Sequence, residues 1–308
     1  MPAPVSPHVD IGALASRLPA HPVTRFAPSP TGLLHLGHLV NAIYTWGLAG
    51  ALGGSVQLRI EDHDRSRSRP EYENSILGDL GWLGLVANGP PARQSDRLPR
   101  YVAALASLSD RGLTYWCDCS RQTVRAEGGT VGGELRYSGR CRDRRLGPGG
   151  DRGVRVRLDD TEERFDDGRI GPQAQQPSAQ CGDVLARDRH GQWTYQFAVT
   201  VDDMQDGVDL VVRGMDLLPS TGRQIALARL LGRPRPPVFV HHPLILAPSG
   251  EKLSKSNRDV GLAALRADGV SPEEAIGCAA AAAGLIETVM PLTAADVASL
   301  VAVSGARD

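Results

Sequence analysis

Residues 23–46, VTRFAPSPTGLLHLGHLVNAIYTW, change character twice within one short window. VTRF has the β-branched and aromatic content of a short strand. Pro28, Pro30 and Gly32 then enforce a loop, because proline fixes φ and cannot donate to a ladder. From Leu36 onward, Leu39, Val40, Ile43 and Trp46 recur at the spacing of one helix face. A strand that ends in a loop opening a helix calls for an open parallel α/β sheet. Such sheets bind ligands beyond the carboxyl ends of their strands, and the helix start is an anion site. The loop is neither G-x-G-x-x-G nor G-x-x-x-x-G-K-S/T, which excludes the usual glycine-rich phosphate cradles.

The same rhythm continues along the chain. SVQLRI (55–60) reads as a second strand, and PEYENSILGDLGWLGL (70–85), led by proline and acids, as a helix. Between about 90 and 190 the rhythm breaks into Gly-, Arg- and Asp-rich sequence with short strand-like pieces, LTYW, GVRVRL and DVLAR. It returns with LVVRG (210–214), a helix at 220–231 and a strand within PVFVHHPLI (237–245), followed by two or three Ala-rich helices. The expected fold is a Rossmann-like, doubly wound parallel sheet over residues 23–256, interrupted by an insertion at about 90–190 and followed by a short helical region at 257–308.

Residues 1–22 lack the basic start and apolar core of a secretion signal and read as a flexible tail. The longest apolar run, residues 275–286, stops at Glu287, short of a membrane span. Five cysteines, an odd number, do not suggest a disulfide framework. A cytoplasmic monomer is expected. The net charge of −1 gives no global attraction for a polyanion, but residues 136–157 carry eight arginines: Arg136, Arg140, Arg142, Arg144, Arg145, Arg152, Arg155 and Arg157. That segment reads either as a solvated loop face or as a local contact surface for nucleic-acid phosphates.

Two features carry chemistry. His35 and His38 stand at the start of the first long helix, where they can donate to a phosphate; on their own they are equally a metal pair or structural side chains. Lys252 and Lys255, in EKLSK, are the only lysines among 34 lysines and arginines. Lysine is a compact charge on a flexible stem, suited to following phosphates as charge develops. A lysine loop facing a histidine-bearing helix start suits in-line attack on the α-phosphate of ATP, a reaction that needs positioning and charge stabilisation more than a covalent intermediate.

HLGH (35–38) with KLSKS (252–256) resembles the paired signature of class I aminoacyl-tRNA synthetases. RFAPSPTGLLHLGH, LRIEDHDRSRSRPEY, DLGWLGL, TYQFAVTVDD, VVRGMDLLPSTGRQIALARLLG and HHPLILAPSGEKLSKS resemble, in order, the glutamyl/glutaminyl branch over roughly residues 23–256. The resemblance implies that Arg25, Phe26, Ala27, Pro28 and Ser29 line an L-glutamate pocket. Glu61 would bind the α-ammonium, and Tyr195 and Arg213 would complete the pocket. It further implies that His35, His38 and Lys255 contact ATP, which enters with Mg2+, and that Lys252 shares the catalytic loop. The set is chemically sensible, since glutamate carries two carboxylates and one ammonium and needs arginines and one acid. Arg59 with Glu61 also reads as a strand-face ion pair, Arg213 as a surface ion pair, and Asp202 and Asp203 as structural.

Cys117, Cys119 and Cys141 lie close together inside the insertion. Three thiolates and one further ligand would satisfy tetrahedral zinc. No histidine lies between residues 64 and 189, which leaves Tyr137 as the candidate fourth ligand; the alternative is three reduced cysteines without a metal. C-x-C followed by Y-x-x-x-C is similar to the zinc site of the glutamyl-queuosine tRNA(Asp) synthetases, and all four positions match. That resemblance implies one structural Zn2+ per chain. Cys181 and Cys278 read as core residues.

Residues 257–308 are too few for the large anticodon-binding domain of a full-length glutamyl-tRNA synthetase. The expected acceptor is therefore queuosine in the anticodon stem-loop of tRNA(Asp). The competing readings are a truncated glutamyl-tRNA synthetase that charges a tRNA 3′ end and an idle paralogue that only binds amino acid or RNA. The intact histidines and lysines argue against idleness.

Overall fold

The computed structural model describes residues 6–245 and 261–303. Five parallel strands form the main sheet, in the order Val238–His242, Leu210–Gly214, Val23–Phe26, Ser55–Ile60 and Ala92–Arg93. The chain starts in the middle of this sheet, winds outward one way through Ser55–Ile60, and later returns to wind outward the other way. The switch point lies between Val23–Phe26 and Leu210–Gly214, where a crevice opens at the strand ends.

The helix Leu36–Ala51 covers this junction. Leu39, Val40 and Ile43 are fully buried, and Trp46 packs on Phe26 with ring centroids 5.3 Å apart. The helix Val297–Val301 crosses it at close range: a Cβ on Gly47 would lie 2.5 Å from the Val297 carbonyl oxygen. Glycine is required there by proximity.

Residues 92–93 still belong to the main sheet, so the insertion proper begins after them. It contains a three-stranded antiparallel sheet, Val184–Arg187, Gly153–Val156 and Thr114–Cys117, and a hairpin of Glu163–Asp167 with Gly171–Gln175. Its small cluster around the cysteines holds Tyr115, Val124 and Tyr137 and is separate from the main core.

Two expectations need correction. Residues 9–15 belong to the fold: Val9–Asp10 pairs in parallel with Ala302–Val303, Asp10 caps the helix Ile11–Ala15 through a 3.0 Å bond from the Ala13 amide, and Val9 and Leu14 are buried. Asp10 ahead of a short apolar helix is a capping signal: its carboxylate satisfies an amide of the first turn. Cys278 is exposed, because the helix Pro272–Ala282 buries its other face through Ala275, Ile276, Ala279 and Ala280; Cys181 is buried as expected. Among the described residues no helix is long and apolar enough to cross a membrane.

Candidate active site

The crevice at the switch point is a cavity of about 480 Å³. Arg25, Phe26, Ala27, Pro28, His35, His38, Glu61, Tyr195 and Arg213, all singled out in the sequence, line it together. Ser29 does not line it. Its hydroxyl donates to the Glu61 carbonyl (3.0 Å) and ties the loop to the end of the strand Ser55–Ile60. Lys252 and Lys255 lie outside the described residues.

Each side chain is set by its element. Arg25 is the penultimate residue of the central strand Val23–Phe26, 4% exposed, with its Nε donating to Asp203 (3.0 Å) and an Nη to the Val212 carbonyl (3.3 Å). Arg59 lies behind it, donating to the same Asp203 oxygen (2.7 Å) and to Glu61 (3.1 Å), with Asp202 at 3.9 Å. The strand-face pairing of Arg59 with Glu61 thus exists, and it holds Glu61 in the pocket wall. Burial alone would raise the Asp203 carboxyl, but Arg25 and Arg59 outweigh it and hold it low. For Glu61 burial prevails over Arg59 and Arg25, and its pKa is raised. Asp202 accepts from Gln94 and Tyr101, both at 2.8 Å, so the two aspartates are the buried counter-charges that fix this wall.

Arg213 differs from Arg25. It is 3% exposed, not at the surface, and donates to three uncharged acceptors: His241 Nε2 (3.0 Å), Gln224 Oε1 (2.6 Å) and Thr221 Oγ1 (2.8 Å). Among the described residues no carboxylate pairs with it. Burial pushes its pKa down to about 10, with the Arg25 charge acting in the same direction and Tyr195 opposing. A buried cation with only neutral partners favours an anionic ligand.

His35 and His38 form the helix cap itself. His35 Nδ1 accepts from the Gly37 amide (3.1 Å) and His38 Nδ1 from the His35 amide (3.2 Å), with the rings 3.9 Å apart. Accepting at Nδ1 places the proton of a neutral ring on Nε2, a donor at the anion-binding end of the helix. Asn41 and His242 also line the cavity and went unnoticed in the sequence. Asn41 is one turn after His38, a spacing that could have flagged it. It bonds His242 Nε2 at 3.1 Å, while His242 Nδ1 faces the Pro243 carbonyl at 2.9 Å.

The three cysteines of the insertion converge, their sulfurs within 4.8 Å of one another, and could hold a metal. Cys119 and Cys141 sulfurs are 3.5 Å apart, and Cys117 Sγ is 3.6 Å from the Tyr137 hydroxyl. Ligands at tetrahedral zinc distances are about 3.5–3.8 Å from each other, and these two separations match that spacing. Burial would raise the Cys117 thiol, but Arg155, whose Nε donates to its sulfur (3.3 Å), leaves it lowered. Arg155 also stacks 3.6 Å over the Tyr137 ring. Asp118, missed in the sequence, puts a carboxylate oxygen 3.2 Å from Cys141 Sγ but is shared with Arg144 (2.8 Å). Gly182, at φ +68°, sits where a Cβ would strike the Tyr137 carbonyl at 2.2 Å, so a glycine keeps Tyr137 in place.

The arginine-rich segment is largely committed to the insertion's own fold. Arg136, Arg140, Arg142, Arg144, Arg152, Arg155 and Arg157 each hold an internal partner, and only Arg140, Arg144 and Arg145 are exposed.

Residues 22–280 match the model of the family described as tRNA synthetases class I (E and Q), catalytic domain. The glutamyl-Q tRNA(Asp) synthetase of Rhodobacter capsulatus is 42% identical over 273 residues, which cover 82% of this chain and 97% of that protein. A glutamate–tRNA ligase of Oleidesulfovibrio alaskensis is 40% identical over 82% of this chain but only 54% of its own length. The crystal structure of a glutamate tRNA ligase from Elizabethkingia meningosepticum in complex with its amino acid superimposes with a TM-score of 0.73 at 27% identity; the match covers 90% of this chain and 64% of that one. The chain belongs to the glutamyl-Q tRNA(Asp) synthetase family of class I synthetase-type ligases.

Proposed function

We propose that the protein activates L-glutamate with ATP and Mg2+ to glutamyl-adenylate without tRNA, then transfers glutamate to the cyclopentenediol of queuosine at the wobble position of tRNA(Asp). The observation that carries the first half is the pairing of a buried Arg213, surrounded by neutral acceptors, with a buried Glu61 in one cavity at a helix start. Arg213 and Arg25 suit the carboxylates of glutamate, Glu61 suits its ammonium, and His35 and His38 suit phosphate. Lys252 and Lys255 would supply further charge to the phosphates.

The acceptor half is supported by the near-complete coverage of the Rhodobacter capsulatus relative and by the cysteine–tyrosine set. A five-membered ring diol resembles the ribose cis-diol of a tRNA 3′ end, so the same attack serves either. The exposed Arg140, Arg144 and Arg145 would meet stem phosphates; the surface ion pairs of Arg140 and Arg144 are weak and readily exchanged. The second reading, charging of a tRNA 3′ end, is favoured by the similar identity to glutamate–tRNA ligases. We assign Zn2+ to Cys117, Cys119, Tyr137 and Cys141. With four protein ligands the ion would be structural: it would cross-link an insertion whose own apolar cluster is small.

The test of the first half is ATP–pyrophosphate exchange. Exchange that requires L-glutamate and proceeds without RNA is expected, and Lys255→Ala should depress it sharply. Exchange seen only after adding tRNA would contradict the reading.

A further inference from the structure

We propose that Asp167 and His241 are positioning residues that fix the Arg213 fork toward the pocket and so set its selectivity for an anionic over an amide side chain. This rests on the reading of the pocket as a glutamate site.

Arginine can only donate, so the 3.0 Å contact from Arg213 Nε requires a lone pair on His241 Nε2. The proton of the imidazole must then sit on Nδ1, and Asp167 Oδ2 lies 2.6 Å from that atom. Thr221 completes the set. Its hydroxyl lies 3.2 Å from His241 Nε2 and accepts from Arg213 Nη2. Along the line from Asp167 through His241 to Arg213 one protonation is consistent: carboxylate, neutral imidazole, guanidinium. Both side chains of the Asp167–His241 pair are fully buried.

Asp167 is itself immobilised. Its Oδ1 accepts from the backbone amides of Arg169 (3.0 Å) and Ile170 (3.1 Å). It stands at the end of the strand Glu163–Asp167, on a hairpin of the insertion, whereas Arg213 and His241 are aligned neighbours on the main sheet. The same hairpin also ties down the start of the helix Thr221–Leu230, which carries Thr221 and Gln224: the Gln175 amide accepts from the Gly222 amide and donates to the Leu218 carbonyl. The insertion therefore orients the pocket arginine that, among the described residues, has no carboxylate of its own. Interposing a neutral imidazole keeps the Asp167 charge from contacting Arg213, which leaves the guanidinium in need of a ligand anion. A direct Asp–Arg pair would quench that need.

Three variants and one spectrum test this. His241→Leu should raise the glutamate KM in pyrophosphate exchange at least about tenfold, with kcat and the ATP KM changed far less, and should narrow the preference for glutamate over glutamine. His241→Gln, whose amide oxygen can replace Nε2 as acceptor, should stay within about threefold of the parent. Asp167→Asn should fall between them. Proton–nitrogen correlation spectra should show His241 in the Nδ1–H tautomer. A His241→Leu protein with an unchanged glutamate KM, a His241→Gln protein as impaired as His241→Leu, or an Nε2–H tautomer would each overturn the proposal. A parent protein that binds and exchanges no glutamate would instead overturn the functional reading, and the tautomer would still judge the relay.

Discussion

Arg25 and Arg213 line the same cavity and are about equally buried, yet among the described residues only Arg25 is neutralised by an aspartate. The uncompensated cation is where binding energy for an anion is available. Arg213→Gln should therefore lower kcat/KM for glutamate by roughly 10- to 100-fold, the loss of a charged hydrogen-bond partner. Steady-state pyrophosphate exchange checks this, and a variant within twofold of the parent would remove Arg213 from the pocket chemistry. The pocket residues were legible one by one because they sit in contiguous blocks at strand ends. His241 and Asp167 were not, since they are 74 residues apart and meet only when the insertion folds back on the sheet. Asp202 and Asp203 were legible as structural acids, but the partners of Asp203, Arg25 and Arg59, lie 178 and 144 residues away, and those of Asp202, Gln94 and Tyr101, 108 and 101.

At the scale of elements, the helix Leu36–Ala51 and the insertion carry the most testable content. Gly47→Ala would push a methyl against the backbone of Val297–Val301, and should cost about 1–3 kcal/mol of stability, read in denaturant unfolding. An unchanged midpoint would mean that the C-terminal helix is free to retreat. The insertion should carry one tightly held zinc by elemental analysis. Its removal by chelation should loosen proteolytic protection around residues 117–141 before the main sheet unfolds. Tyr137→Phe should weaken zinc retention at least about tenfold. Unaltered retention would point to Asp118, the carboxylate beside Cys141, as the fourth donor. Strand and helix positions in the main sheet followed from periodicity, and the Asp10 cap was local enough to be read, whereas the exposure of Cys278 depends on which face of the alanine-rich helix Pro272–Ala282 docks, which its pattern of small residues does not encode.

For the molecule as a whole, the buried histidines link stability to pH. Burial pushes His242 down to about 4, and His241 is also lowered. In the unfolded chain both titrate near 6.5. Between those values the unfolded state binds more protons than the folded one, so stability is full above about pH 6.5 and falls as pH drops toward 4, by about 3 kcal/mol for His242 alone. Unfolding followed from pH 7 to pH 4 should show this slope, reduced in His242→Gln; an equal slope in both would discard the assignment.

The central claim concerns where glutamate goes. The direct measurement uses tRNA(Asp) with and without queuosine, and queuosine-containing tRNA(Asp) whose 3′ ribose alone has been oxidised before the modified base is restored. With ATP and labelled glutamate, label is expected on both queuosine-containing RNAs, at the wobble nucleotide after nuclease digestion, and on no queuosine-free RNA. Label on the queuosine-free tRNA, or its loss when only the 3′ diol is destroyed, would contradict the account and assign the enzyme to the tRNA 3′ end.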